Sequence, residues 1–282
     1  MDGDSSITLK GSGFLAGAFM NESYKTLTRL FFLSWHHGHV FFRKLRFLPP
    51  VVLWLFVLAL CFDINNPPVN AALGYMSTIP WLFFVMVWLG YLFFTSTNIV
   101  EEHILILHIN SRFLYIASKI IFLVAVSLIL TLFGCILPII IELVFRIRGL
   151  VFIPGGVSLA DFFSALVLNF SLGLLGVSLA FLFHPNLSKH RDDSALILLI
   201  LFAMLSVIKD QIFNLQGLYR YILFVFTPVL EIGQLVSNKD MFYAREIMQA
   251  ALYASVYCIV AMVVGYWLCI KRMYGPLIAK HE

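Results

Sequence analysis

FLYIASKIIFLVAVSLILTLFGCILPIIIELV, residues 113–144, is the apolar run that decides the fold of this chain. It exceeds the roughly 20 residues that an untilted helix needs to cross a bilayer, so it must tilt, kink near Pro138 or project beyond the lipid. The run lacks the alternation of barrel strands. It therefore predicts a membrane-spanning helix, which satisfies its own backbone hydrogen bonds.

Five further apolar blocks accompany this run: Leu48–Phe62, Ile79–Thr95, Phe162–Phe183, Ala195–Ile208 and Met248–Ile270. The 282-residue chain is 61% hydrophobic and 12% charged, with a mean hydropathy of +0.94. A soluble domain carries about twice that charged fraction. We therefore predict an all-α polytopic membrane protein with six transmembrane helices. Within the fourth block, Gly176-x-x-x-Ala180 has the spacing of a helix contact face.

Basic residues at both ends of the chain set the expected orientation. They are Lys10, Lys25, Arg29, Arg43, Lys44 and Arg46 before Pro49, and Lys271, Arg272 and Lys280 after the last block. Because cytoplasmic segments are enriched in Lys and Arg, we expect both termini in the cytoplasm and an even number of spans. The expected location is a cell membrane, the inner or plasma membrane of a bacterium.

A seventh apolar stretch, Leu218–Val236, is interrupted by Pro228, Glu231 and Gly233. A full crossing there would place the last basic residues outside, so we predict an outer re-entrant hairpin before the last span. The predicted domains are a disordered tail at 1–18, an interfacial amphipathic helix at 19–46, a six-helix transmembrane domain at 47–273 and a cytoplasmic tail at 274–282.

The segment 19–46 mixes basic and aromatic residues in the manner of helices that lie in the plane of a membrane surface. Aromatic rings can sit at headgroup depth while long basic side chains reach the lipid phosphates. The residues predicted to hold this helix at the surface are Lys25, Arg29, Trp35, Arg43, Lys44 and Arg46. Membrane lipids are thus expected partners, and we expect no nucleic-acid partner.

A polar segment, TSTNIVEEHILILHINSR, residues 95–112, separates the second apolar block from the third. Its pattern predicts a short helix that contacts a protein in the cytosol rather than lipid. The apolar cores of the blocks hold no Asp, Glu, Lys or Arg away from their ends. Ion-coupled transporters normally carry such charges within their spans, so this absence favours an external source of energy.

Patterns for other chemistry are weaker. The Gly-rich stretch Gly11–Gly17 lacks the preceding strand and the Lys of a phosphate-binding loop, so we expect no cofactor on this chain. The histidines His36, His37 and His39 could bind a transition metal, but polar anchoring is the favoured interpretation and no metal site is predicted.

Glu101-Glu102 resembles the paired glutamates of intramembrane CAAX-type proteases. That pattern has an Arg four residues after the second Glu, where this chain has Ile106, and the companion His-x-x-x-Asn is absent. The base and ligand set of a metal hydrolase is therefore incomplete, and no catalytic residue is predicted.

The stretch Glu101–Lys119 resembles the first cytoplasmic loop of ABC-2 type permeases. Members of that family often show an acidic start, a short helix with leucines, a break, a basic residue and then a Lys that opens the third span. The layout of residues 20–275 is similar as well. Family loops often carry Gly-Thr after the acidic residues, where this chain has His103-Ile104.

The resemblance implies the permease subunit of an ATP-binding cassette exporter. Two permeases, identical or related, would form the pathway, and two cytosolic ATPase subunits would bind ATP and Mg²⁺ and drive it. The residues implied to couple the permease to the ATPase are Glu101, Glu102, His103, Leu105, Leu107, His108 and Arg112. The alternatives are a membrane scaffold or assembly permease of a maturation complex, and an intramembrane protease. The substrate is not specified.

Overall fold

The computed structural model describes residues 8–62, 70–97, 99–109, 111–144, 151–153, 156–184, 194–212, 229 and 242–278. Over these residues the chain is all-helical, as predicted. The helices are α1 (Thr8–Arg43), α2 (Leu48–Cys61), α3 (Ala71–Thr95), α4 (Ile99–Ile109), α5 (Arg112–Val144), α6 (Leu159–Leu182), α7 (Ser194–Ile212) and α8 (Ala244–Ile278). The predicted hairpin at 218–236 lies outside the described residues, apart from the buried side chain of Val229.

Four helices, α3, α5, α6 and α8, are long and apolar enough to cross a membrane. A fifth crossing is formed if α1 and α2 together make one broken span, since Thr26–Arg43 and Leu48–Cys61 meet at an angle of 83°. Among the described side chains of α7, the apolar segment is Leu196–Leu205, which is shorter than a span. The described residues thus provide four or five apolar helical segments that are able to span a membrane, as in a multi-pass membrane protein.

α1 begins earlier than the predicted interfacial helix and covers most of the segment expected to be disordered. Three glycines, Gly11, Gly13 and Gly17, favoured that expectation because glycine lowers helix propensity. The chain turns between α1 and α2 at Leu45, whose φ of 51° is uncommon for a residue other than glycine. Two prolines lie in the first turn of α2, Pro49 and Pro50, where the missing backbone N–H costs little.

α3 begins at Ala71, eight residues before the predicted apolar block Ile79–Thr95. Asn70 is the reason: its side-chain oxygen accepts a hydrogen bond from the Ala72 backbone N–H at 3.1 Å. Such a cap satisfies a donor that has no partner within the helix. The last helix, α8, is also longer than the predicted block and extends past residue 273, where the transmembrane domain was expected to end.

The packing of α3 against α6 forms the centre of the bundle. A Cβ atom added at Gly176 would lie 2.7 Å from the Phe83 carbonyl oxygen, and one added at Gly90 would lie 2.7 Å from the Ala180 Cβ. Small residues therefore let the two backbones approach closely. The Gly176-x-x-x-Ala180 pattern is a contact face, as its spacing predicts.

We expect Gly176→Leu to loosen this contact, because the added side chain meets the α3 backbone rather than a movable side chain. Overpacking of this kind lowers the free energy of unfolding by about 1–3 kcal/mol. The measurement is thermal unfolding of the purified protein in detergent. Val167→Leu, on an exposed part of the same helix, is the matched control and should unfold as the wild type does. Equal melting of both variants would contradict the close contact.

Candidate functional site

The 11-residue helix α4 joins the end of α3 to the start of α5. At 1.5 Å per residue it is about 16 Å long, roughly half the thickness of the hydrocarbon core of a bilayer. Two glutamates occupy its first turn. The polar segment thus forms a short helix at one end of the bundle, as its pattern predicts.

One face of α4 is fixed to α5 by a buried ion pair. The Lys119 Nζ lies 2.8 Å from the Glu102 Oε1, and the two side chains are 2% and 3% exposed. The same ammonium donates a hydrogen bond to the Thr97 Oγ1 at 3.1 Å. It also lies 4.6 Å from the centre of the Tyr115 ring, within the range of a cation–π contact. Side chains from α4, α5 and the α3–α4 connection therefore meet at this ammonium.

The energetics of this pair explain why it holds its elements in place. Either charge alone would be buried without compensation, and breaking a buried pair by removing one partner costs about 3–5 kcal/mol. A shift of α4 along α5 would separate the charges inside an apolar region. The pair therefore sets the position of α4 on α5 more strictly than apolar contacts do, since those tolerate small slides.

α1 packs against the same end of α5. The Ser34 Oγ donates a hydrogen bond to the Ser118 carbonyl oxygen at 2.9 Å. His37 is buried with its ring centre 5.2 Å from that of Tyr115, the residue that also faces the Lys119 ammonium. Gly38 allows the helices to come close, because a Cβ there would lie 2.5 Å from the Phe122 ring. α1 thus contacts the surroundings of the ion pair directly.

The connection after α1 is also joined to this end of the bundle. The Lys44 Nζ donates a hydrogen bond to the Ser96 carbonyl oxygen, just after α3. Ser96 is buried, and its hydroxyl donates to the Phe93 carbonyl oxygen at 2.6 Å. The two helices that bear most of the predicted site residues, α1 and α4, therefore meet at the same end of the bundle.

The opposite face of α4 carries exposed apolar side chains. Val100, Ile104 and Leu107 are 63%, 61% and 80% exposed. Their spacing of four and three residues places them on one side of the helix. We call these three residues the outer face of α4. A fixed inner face and an exposed apolar outer face are together suited to contact another protein.

The predicted coupling residues do not share one surface. Glu101, Leu107, His108 and Arg112 are exposed, and His103 and Leu105 are half-buried. Glu102 lies on the inner face with Lys119. Lys119 belongs to the stretch that carries the resemblance, but no site role was predicted for it, and Val100 and Ile104 were not among the predicted site residues. The helical spacing of the latter two with Leu107 was a signal that could have identified them.

Most of the residues predicted to hold the interfacial helix at a membrane are exposed. They are Arg29, Trp35, Arg43, Lys44 and Arg46. The side chain of Lys25 lies outside the described part of the chain. Leu27, Phe31 and Trp35 form an exposed apolar stripe with a spacing of four residues. This surface of α1 has the composition of an interfacial helix.

The histidines of α1 do not converge. His37 points into the core, and its Nε2 has no hydrogen-bond partner among the described residues, whereas His36 and His39 are exposed. Within the described ranges, no group of three or more His, Cys, Asp or Glu side chains is placed to hold a metal ion. The paired glutamates also separate, since Glu101 is exposed and Glu102 is buried in the ion pair.

No protein-family model matches this chain, and neither a curated protein nor a solved structure does. The resemblance to ABC-2 type permeases therefore depends on the residues of the polar segment and on the layout of the spans, and it stays a prediction.

We expect Lys119→Met to lower the free energy of unfolding by about 3–5 kcal/mol, because it leaves the Glu102 carboxylate buried without its partner. The double variant Glu102→Gln with Lys119→Met removes both charges and should recover most of that loss. Thermal unfolding of the purified variants measures the effect, and Glu101→Gln, at the exposed neighbouring position, serves as the control. A double variant as unstable as the sum of its single variants would show that the two charges are not coupled.

Proposed function

We propose that this chain is the membrane subunit of an ATP-driven exporter of the ABC-2 type, with ATP hydrolysed by separate cytosolic subunits. The observation that carries the proposal is the two-sided character of α4. Its inner face is held to α5 by the pair between Glu102 and Lys119, and its outer face is apolar and exposed. A helix with this arrangement can transmit the movement of a bound ATPase to a spanning helix.

In this proposal the outer face of α4 enters a groove on the ATPase. Leu107 is the most exposed of its three apolar residues, and Glu101 and His108 flank it on the exposed side of the helix. Because the ion pair resists sliding of α4 along α5, closure of two ATPase subunits would tilt α5 rather than deform α4. Glu102 then acts within the permease, as a positioning residue, and does not contact the ATPase.

The finer topology belongs to the same proposal. α1 lies in the plane of the inner membrane surface, which its 83° angle to α2 and its exposed apolar stripe support. With α2 and α7 as shorter crossings beside the four long helices, the chain spans the membrane six times and both termini are cytosolic. The stretch 218–236 returns to the outer side as a re-entrant hairpin. A second permease copy, identical or related, completes the pathway.

The first test is the loss of ATPase coupling on changing the outer face of α4. We expect Leu107→Asp to reduce the amount of ATP-binding cassette subunit that co-purifies with the tagged permease by about tenfold or more. Export driven by that ATPase should fall by a similar factor. A buried apolar anchor replaced by a charge costs several kcal/mol at an interface. Protein yield and thermal stability should be unchanged, since the side chain is exposed.

Leu159→Asp is the matched control for this test. Leu159 is 78% exposed, close to the value for Leu107, but it begins α6, beyond the far end of α5. This variant should keep its ATPase and its export. Unchanged export by Leu107→Asp would exclude the proposed coupling. A stable ATPase complex whose hydrolysis no substrate stimulates would instead indicate a membrane scaffold.

The second test concerns topology. Single cysteines introduced at Gln211 and at Ser237, in a chain without its native cysteines, should both react with an impermeant maleimide added from outside. A cysteine at Leu107 should react only after the membrane is permeabilised. Labelling of only one of the two outer positions would exclude the hairpin and add a crossing.

A further inference from the structure

A groove of about 620 Å³ lies between α1 and α4, beside the start of α5. It forms because α1 and α4 each pack against α5 and leave a space between them. Volumes of about 300–1,000 Å³ are typical of sites for small ligands. The groove therefore has the size of a small-ligand site rather than of a surface irregularity.

The chemistry of the groove changes from its floor to its rim. Half-buried apolar side chains, which we call the floor, come from α1, α4 and α5: Leu33, Leu105, Ile109 and Leu114. Exposed side chains that carry nitrogen, which we call the rim, come from α1 and α4: Arg29, His36 and His108. An apolar interior with a nitrogen-lined edge favours a ligand with one apolar part and one anionic part.

The charges around the groove favour an anion as well. Among its described lining residues there is no carboxylate. Glu102 is on the inner face of α4 and is compensated by Lys119. Glu101 precedes Leu105 by one turn and does not line the groove. The guanidinium of Arg29 is thus the dominant charge at the rim, and imidazole N–H groups add donors without adding a negative charge.

We propose that this groove binds a single-chain anionic phospholipid, with its acyl chain on the floor and its phosphate at the rim. Arginine pairs with phosphate through two parallel hydrogen bonds, which gives this head group an advantage over a neutral one. One acyl chain suits the volume. The exposed apolar stripe of α1 would place the groove beside a membrane surface, where such amphiphiles partition. This site does not depend on the ATPase and would bind whether or not the exporter proposal holds.

The test is equilibrium binding of radiolabelled oleoyl lysophosphatidic acid to the full chain in nanodiscs of phosphatidylcholine. Oleoyl lysophosphatidylcholine has the same acyl chain without the net negative head group and should bind at least about fivefold more weakly. Arg29→Gln combined with His108→Gln should weaken binding of the anionic lipid by about tenfold, the effect of losing charge-assisted hydrogen bonds. Leu105→Trp, which fills the floor, should abolish binding by a different route.

Arg245→Gln is the matched control, because Arg245 is exposed on α8, lies outside the groove and is not among the residues predicted to bind lipid. It should change the affinity less than twofold. An equal loss of affinity in Arg245→Gln would show that the protein surface attracts anions in general, and equal binding of the two lipids would exclude a phosphate-selective site. Either result overturns the proposal. The rim variant replaces two exposed polar side chains with exposed glutamines, so we expect it to fold. Monodisperse elution of each variant checks that folded proteins are compared.

Discussion

The ion pair between Glu102 and Lys119 is the interaction on which the end of the bundle that bears α4 depends. Each of these charges loses its hydration when it is buried in an apolar bundle. Only the attraction of the opposite charge compensates for that loss, so the two are stable in the interior only as a pair. Apolar contacts would let α4 settle at several positions on α5. The pair selects one position, and the additional contacts of the ammonium with Thr97 and Tyr115 narrow it further.

A second constraint operates deeper in the bundle. α3 and α6 approach so closely at Gly176 and Gly90 that an added methyl group would meet backbone or Cβ atoms. In lipid the hydrophobic effect does not drive helices together, so such close packing is a main source of helix association. The α3–α6 contact thus provides a firm centre, and α4 is attached to its edge through the end of α3 and the ion pair. Force applied to α4 would pass to packed helices rather than to a loose loop.

The sequence predicted the elements of this arrangement better than their connections. Apolar runs identify spans because length and composition are local properties, and α4 follows from the spacing of polar and apolar residues between two runs. Asn70 precedes an Ala-Ala-Leu run and is a residue type that caps helices, so this start of α3 could have been predicted from the sequence. The proline and asparagine residues just before it favour a loop instead. The start of α1 was not predicted, because the glycines in its first turns lower helix propensity.

The pairing of Glu102 with Lys119 could not be derived in the same way, although only 17 residues separate them. Lys119 lies within an apolar run and would be read as a residue near the membrane surface, with its ammonium in water. Whether it turns inward depends on the angle at which α4 folds back on α5, and no local pattern sets that angle. The inward orientation of Glu102 also determines which side chains α4 presents to a partner. Since Glu102 faces α5, the outer face of α4 consists of Val100, Ile104 and Leu107, and a partner that contacts this face would be recognised mainly by shape and buried area rather than by a buried charge. The α4 side of such a contact would stay fixed to α5 by a pair that is costly to break.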